Sequence, residues 1–179
     1  FNGSEYFVYY DDKKFRLDKR YALYRRSQNF SMTDNFNRPM EEQFTNLIGI
    51  YQLRYPLDIY RSIRLTTTLR FDTYNVLSTD RPSLETEPVN TQRLGVKAEY
   101  VFDNTYLMKK NMLNGTRYKF WIEGLNKFQV QFAPWAFSLS DDFMTIIGLD
   151  ARHYLRLGRH AILAGRAAAT TTFGSEQLL

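Results

Sequence analysis

The sequence lacks cysteine and is poor in histidine and tryptophan, with no Cys, 2 His and 2 Trp among 179 residues. Without cysteine, the chain can form no disulfide framework, no zinc–thiolate site and no cysteine nucleophile. It also contains no run of about 18 apolar residues, which excludes a transmembrane helix. A membrane β-barrel is not excluded, because its strands alternate polar and apolar residues and each gives a weaker hydropathy signal.

The start of the sequence lacks a Met and a charged segment followed by an apolar run, so we expect no signal peptide in it. We interpret residues 1–179 as one partial barrel domain, an interior fragment of a longer protein cut at both ends. The formal net charge is +5. Basic residues are spread along predicted strand faces and form no single patch, which argues against a nucleic-acid partner.

Regular alternation of polar and apolar residues is the strongest signal present, and it runs through residues 60–73 and 91–103. Successive side chains of a strand point to opposite faces, so each segment has one apolar and one charged face. Strands of soluble proteins average roughly 5–6 residues, whereas a tilted strand that crosses a bilayer needs about 9–11. These long two-faced strands predict a wall in an outer membrane.

The two faces divide the candidate functional residues into two sets. The apolar set is predicted to face lipid: Ile63, Leu65, Leu69, Phe71, Leu94, Val96, Tyr100, Phe102, Tyr118, Phe120, Ile122, Ile147 and Leu149. The charged set is predicted to face the lumen: Arg64, Arg70, Asp72, Arg93, Lys97, Glu99, Arg117, Lys119, Glu123, Asp150, Arg152 and Arg166. Such charges either line a conduit or hold a folded-back loop, or they form a solvated wall that pairs across strands.

Aromatic residues make up 16% of the chain, with 13 Tyr and 14 Phe. Many tyrosines lie toward predicted strand ends, among them Tyr10, Tyr21, Tyr51, Tyr100 and Tyr118. A ring with an apolar body and a polar tip suits the membrane–water boundary. In a soluble barrel the same residues would instead be core and rim residues.

The pattern predicts about eight antiparallel strands, joined by connections of alternating length. The strands are predicted at 5–10, 15–27, 43–55, 60–74, 91–103, 116–124 with a continuation toward 132, 143–155 and 160–173. Long loops are predicted at 28–42, 75–90 and 133–142, and shorter connections at 11–14, 56–59, 104–115 and 156–159. Outer-membrane barrels have short periplasmic turns and longer extracellular loops, so the lengths also assign the two sides.

Residues 93–104 (RLGVKAEYVFDN), followed by residues 114–118 (NGTRY), resemble the strand–turn–strand signature of the BamA-type bacterial surface-antigen barrels. Residues 149–159 are similar to the next hairpin of that family, and residues 55–65 to an earlier periplasmic hairpin. The order and spacing of these motifs over roughly residues 43–175 carry the resemblance.

The resemblance implies a 16-stranded outer-membrane barrel of Gram-negative bacteria, non-catalytic and without cofactor, that takes part in protein insertion, assembly or translocation. Its partners would be outer-membrane lipid and other outer-membrane or periplasmic proteins. The family's Arg-Gly-aromatic loop would begin near residues 173–176. The ending Phe-Gly-Ser-Glu-Gln-Leu-Leu is similar to a subgroup with a TolB-like propeller upstream. We therefore expect an all-β fold, an antiparallel transmembrane β-barrel segment.

Catalytic and metal chemistry have little support in the sequence. Asp150 and His153 would point to opposite faces of a strand, whereas an acid–base pair needs reach of about 3 Å. His160 lies beside a turn and is expected at the interface. The adjacent acids Asp11–Asp12 and Asp141–Asp142 fall short of the six or more oxygen ligands that calcium takes, so we expect solvated turn residues and no enzyme.

Two other functions stay open at this point. A passive or substrate-specific pore would have the same wall without the insertase loop. A soluble lipocalin-like ligand-binding barrel would reverse the orientation, with apolar residues inside. The direction of the Leu65, Leu69 and Phe71 side chains distinguishes the two kinds of barrel. They point outward in a membrane wall and form the core of a soluble barrel.

Overall fold

The computed structural model describes residues 3–33, 39–77, 87–109, 112–132, 135–158 and 161–175, and over these ranges the fold is all-β, without a helix. The strands are β1 (Gly3–Asp12), β2 (Asp18–Thr33), β3 (Pro39–Pro56), β4 (Arg61–Leu77), β5 (Val89–Asp103), β6 (Tyr106–Lys109), β7 (Met112–Phe132), β8 (Trp135–Arg156) and β9 (Ile162–Gly174). A search of the described residues for a helix long and apolar enough to cross a membrane finds none.

All strands belong to one antiparallel sheet, whose order β1-β2-β3-β4-β5-β7-β8-β9 follows the chain, while the short strand β6 pairs with the beginning of β7. The expected all-β, antiparallel architecture with eight long strands is therefore confirmed. Among the described strands, β1 and β9 do not pair with each other, so they form the two edges of the sheet.

The strands run further than predicted, into all three segments expected to be long loops. β2 and β3 together cover most of 28–42, β8 covers most of 133–142, and β4 and β5 take the two ends of 75–90. Residues such as Asn29, Ser31, Glu41 and Glu42 make these strand ends rich in polar side chains, although Phe30 and Met32 keep an alternation at the end of β2. Their composition is typical of turns, which is why the loop predictions were wrong there.

The shorter connections are also displaced from their predicted positions. Phe15 and Leu17, expected inside the second strand, lie in the turn before β2, and Phe15 is exposed. The predicted connection 104–115 contains β6 and the first residues of β7. The reversal after Pro56 is closed by the Leu57 N–H, which donates to the Arg61 carbonyl at 2.9 Å.

The strands are staggered in a regular way. The row of direct cross-strand partners that begins at Tyr10 in β1 ends at Phe173 in β9. Tyr10 lies two residues from the turn-side end of β1, but Phe173 lies eleven residues from that of β9. The row therefore moves about nine residues along the strands while it crosses the seven spacings between neighbouring strands. At about 3.3 Å per residue and 4.8 Å per spacing, this offset corresponds to a strand tilt of about 40°. Walls of closed barrels have a tilt of this size.

The sheet is also bent at β8. Some Cα atoms of β7 and β9 come within 8 Å of each other although β8 lies between them. In a flat sheet, strands on either side of a third stand about 9.6 Å apart. The β7–β8 register shifts between Asn126 and Phe128, and such a bulge bends a strand locally. Stagger and bend are the two features that let a sheet curl.

Candidate functional site

The cross-strand register places the charged residues singled out above on one face of the sheet. Directly opposed residues of an antiparallel pair share a face. Through the register, the even-numbered residues of β4 share a face with the odd-numbered residues of β5 and β7. The even-numbered residues of β8 and β9 lie on the same face. We call this face the polar face. It carries Arg64, Arg70, Asp72, Arg93, Lys97, Glu99, Arg117, Lys119, Glu123, Asp150, Arg152 and Arg166.

The opposite face, called here the apolar face, carries the residues predicted to meet lipid. They are Ile63, Leu65, Leu69, Phe71, Leu94, Val96, Tyr100, Phe102, Tyr118, Phe120, Ile122, Ile147 and Leu149. The members of each set thus share one face of the sheet, as strand parity predicts, while the assignment of one face to lipid and the other to a lumen stays a prediction.

On β4 and β5 the polar face is the less exposed of the two, although each described strand contacts only strands of its own sheet. In β4, Ser62 and Asp72 are buried on the polar face, whereas Leu65 and Leu69 on the apolar face are 42% and 41% exposed. Soluble proteins seldom expose a continuous apolar area this large. The exposures are therefore the reverse of those in a water-soluble barrel.

Asp72 is the centre of the first charged cluster. Arg70 Nε donates to Asp72 Oδ1 at 3.0 Å, and Arg93 Nη1 donates to Oδ2 at 2.9 Å. Asn46 Nδ2 also donates to Oδ1. The three donors come from β4, β5 and β3, so one buried carboxylate connects three neighbouring strands through charge-assisted bonds.

Glu99 is the centre of the second cluster, which surrounds Trp121. Lys97 Nζ and Lys119 Nζ lie 3.5 and 3.9 Å from Glu99 Oε1. The same two ammonium groups lie over the Trp121 ring, 5.5 and 4.8 Å from its centroid. Glu123 is the direct partner of Lys97. A ring between two lysines adds cation–π attraction to the ion pairs.

Asp150 is the centre of the third cluster, at the turn side of β8 and β9. Arg152 Nη2 and Arg166 Nη2 donate to Asp150 Oδ2 at 3.3 and 3.0 Å. A cavity of about 100 Å³ beside it is lined by Arg117, Lys119, Asp150 and Arg152. In all three clusters, one carboxylate meets two cations, so the polar face keeps an excess of positive charge.

Arg64 lies on β4, beside the second cluster. Its direct partners are Arg54 on β3 and Glu99 on β5. Its buried Nε has no hydrogen-bond partner among the described groups. Arg54 in turn lies 4.0 Å from Asp18.

Aromatic rings cluster on the apolar face near the turn-side strand ends. The Tyr21 ring lies 6.4 Å from Tyr10 and 5.0 Å from Tyr51, centroid to centroid. On β5 and β7, Tyr118 stacks on Phe102 at 4.9 Å and lies 6.2 Å from Tyr100. Clusters of this kind at one end of a wall are typical of interfacial aromatic girdles.

Sequence reasoning missed two features of the polar face. One is Trp121, which parity placed there but which was given no role. The other is an apolar area on β1 to β3, where Phe7 is the direct partner of Tyr24, and Tyr24 of Ile48. β1 is apolar on both parities, so no alternation could assign its two faces.

The residues considered for catalysis do not come together. Asp150 is on the polar face, whereas His153 is on the apolar face, where its Nδ1 lies 2.8 Å from Thr116 Oγ1. Asp11 pairs with Arg20, whose Nε lies 2.6 Å from Oδ1. Within the part of the chain that the structure describes, no group of three or more His, Cys, Asp or Glu could hold a metal. His160 and the side chains at 141–142 lie outside that part.

Comparison with known proteins assigns no family: no family model, curated protein or solved structure matches the chain. The likeness to BamA-type barrels therefore rests on the sequence motifs, and the function built on it is a proposal.

Proposed function

We propose that this chain forms part of the wall of a BamA-like outer-membrane β-barrel, with its apolar face toward lipid and its polar face toward an aqueous lumen. The barrel takes part in inserting, assembling or translocating proteins at the outer membrane and performs no catalysis. The exposure of the two faces on β4 and β5, where apolar side chains are exposed and Ser62, Asp72 and Glu99 are buried, is the observation that carries the proposal.

The orientation has a simple energetic basis. An Arg or Lys that faces lipid at the bilayer midplane costs roughly 2–4 kcal/mol, and the three carboxylate-centred clusters keep their cations on the other face. A soluble barrel would instead require Leu65, Leu69 and Phe71 in its core, but these side chains are among the more exposed ones.

Strand length and tilt also support a membrane wall. A strand tilted by about 45° crosses the hydrocarbon region in about 9–11 residues, and β4, β5, β7 and β8 have 17, 15, 21 and 22 residues. The surplus length projects beyond the membrane. The part of the proposal that concerns protein insertion comes from the family resemblance alone.

The orientation is tested by placing single cysteines at Leu69 and Arg70 of the full-length protein in intact outer membranes. Residues 1–179 contain no cysteine, so within this segment labelling reports only the introduced thiol, and the parent protein without an introduced cysteine is the labelling control. We expect Leu69→Cys to react with a lipid-confined maleimide and Arg70→Cys with a water-soluble one. Leu94→Cys and Arg93→Cys, the direct partners on β5, are a second matched pair. Reversed labelling in both pairs would favour the soluble barrel.

The insertion activity needs a separate test. Liposomes that contain the full-length protein should accelerate the folding of an added outer-membrane protein relative to empty liposomes. If the cysteines label as expected but folding of the added protein is not accelerated, the passive or substrate-specific pore becomes the better-supported function.

A further inference from the structure

Three arginines stand side by side on the polar face, near the turn-side ends of β7, β8 and β9. Arg117 is the direct cross-strand partner of Arg152, and Arg152 is the direct partner of Arg166. Like charges that face each other destabilise a sheet. Negative charge close to this row would offset the repulsion between the three arginines.

The acids beside this arginine row supply only part of that charge. Asp150 accepts hydrogen bonds from Arg152 and Arg166, and Asp103 lies 3.5 Å from Arg117. Lys119 adds a fourth cation as the direct partner of Asp150, and it shares Glu99 with Lys97. The guanidinium groups also remain open to solutes, since the side chains of Arg117, Arg152 and Arg166 are 48%, 40% and 60% exposed.

The space between these side chains suits a small anion. The cavity of about 100 Å³ is lined by Arg117, Lys119, Asp150 and Arg152. One water takes about 30 Å³ of liquid volume, so the cavity has room for about three waters or for one tetrahedral oxyanion. The planar fork of an arginine matches two phosphate oxygens at once.

We propose that the arginine row of Arg117, Arg152 and Arg166 binds a phosphate-class oxyanion, with Lys119 as a fourth cation. Asp150 holds the arginines in position and competes with the anion for them. The anion comes from a free phosphate or from the phosphomonoester headgroup of a lipid. This inference goes beyond the proposed function and does not depend on protein insertion.

Two other charged groups on the polar face show the contrast. Arg20 shares its carboxylate with one lysine: its Nε and Nη2 both donate to Asp11 at 2.6 and 2.9 Å, and Lys13 Nζ lies 3.9 Å from Asp11 Oδ2. The cavity of about 170 Å³ beside Arg20 is lined by two carboxylates, Asp11 and Asp18, as well as by Arg54 and Arg64. Arg70 and Arg93 also oppose each other, but they close on the buried Asp72. Neither group is a row of three directly opposed arginines.

The test is a calorimetric titration of the purified full-length protein, in a non-ionic detergent, with sodium phosphate against sodium chloride of equal ionic strength. We expect phosphate to bind and chloride not to. Arg152→Gln should weaken phosphate binding about tenfold or more, because it removes charge-assisted bonds. Arg20→Gln is the matched control and should leave the affinity unchanged. Arg166→Gln, on the edge strand, replaces Arg152→Gln if that variant does not fold.

Asp150→Asn separates an anion site from a structural ion-pair cluster. Removal of the competing carboxylate should tighten phosphate binding, and phosphate should raise the Tm of this variant more than that of the parent. A purely structural role for Asp150 predicts a lower Tm with no gain in phosphate affinity.

A second arm distinguishes the two sources of the anion. A water-soluble short-chain phosphatidic acid is titrated beside inorganic phosphate, with the matching phosphatidylcholine as control. Binding of inorganic phosphate supports a free-anion site, and binding of phosphatidic acid alone supports a lipid headgroup site. Absence of both, or affinities that Arg152→Gln and Arg166→Gln do not change, would overturn the proposal. Because the assay needs no membrane, its failure leaves the labelling test of the wall unaffected.

Discussion

The Trp121 ring lies directly over Gly148, its cross-strand partner on β8. A Cβ atom built on Gly148 would come within 2.1 Å of Trp121 Cζ2. The glycine thus leaves the space in which the indole lies, and in that position the ring is reached by Lys97 and Lys119. One small residue on β8 therefore positions the second charged cluster of the polar face.

Gly148→Ala should destabilise the protein by about 1–3 kcal/mol, the usual cost of overpacking, because the rigid indole must leave its place. Equilibrium unfolding in urea measures this change. Gly49→Ala is the matched control in another long strand, since a Cβ there meets nothing within 4 Å. Equal effects of the two substitutions would show that Trp121 does not depend on Gly148.

Asp72→Asn should cost about 2 kcal/mol, because it removes the buried carboxylate to which Arg70 and Arg93 both donate. Asp18→Asn serves as the control, since Asp18 makes one ion pair with Arg54 at 4.0 Å and is more exposed. Ion pairs of that kind contribute at most about 1 kcal/mol. The two variants are compared by urea unfolding, and a smaller loss for Asp72→Asn than for Asp18→Asn would contradict the assigned role.

The stability of the turn after β3 depends on pH through Asp58. The backbone N–H groups of Tyr60 and Arg61 donate to Asp58 Oδ1 at 2.8 and 2.7 Å, and the Arg61 guanidinium donates to Oδ2. The Tyr60 N–H first, and then the Arg61 side chain, lower the pKa of Asp58 below its ordinary 3.8. The stabilisation is therefore present above pH 3.8 and is lost as the pH falls through the lowered pKa.

The measurement for Asp58 is the Tm of the parent and of Asp58→Ala between pH 7 and pH 2. The parent should have the higher Tm at neutral pH, and the difference should shrink below about pH 4. Asp58→Asn, which keeps an acceptor for the two N–H groups, should fall between them. A difference that grows with acid would be the wrong sign for this account.

An arginine on the apolar face should interfere with membrane insertion. Leu69→Arg should destabilise the inserted protein by about 2–4 kcal/mol if residue 69 lies near the bilayer midplane. Thr68→Arg, one residue away on the polar face, should insert like the parent. Folding into lipid vesicles, followed by protease protection, measures both. A Thr68→Arg variant as impaired as Leu69→Arg would argue against two different environments.

Parity explains why so much of the polar face could be predicted from sequence. In β4, β5 and β7, each second residue is charged or polar over a long stretch, so the face of Arg64 or Lys97 follows from its number once the strand is recognised. Near Asn29 and Glu41 the composition is rich in polar residues typical of turns, and there the strand ends were misplaced.

Contacts between strands could not be predicted in the same way. The row of Arg117, Arg152 and Arg166 and the place of Trp121 over Gly148 depend on register, which can change by two residues without changing the face of any side chain. The register also shifts at the bulge near Phe128. Two strands with correct faces still allow many registers. The anion site and the indole position therefore required the structure.

The central claim is most directly tested by nitroxide labels placed one at a time along residues 62–71 of β4 in the membrane-embedded protein. Accessibility to oxygen, which concentrates in lipid, and to a water-soluble nickel chelate is measured at each position. Our account predicts oxygen maxima at the odd positions, Ile63, Leu65, Thr67, Leu69 and Phe71, and nickel maxima at the even positions from Ser62 to Arg70. The opposite phase, or accessibility without a period of two residues, would contradict a lipid-facing wall.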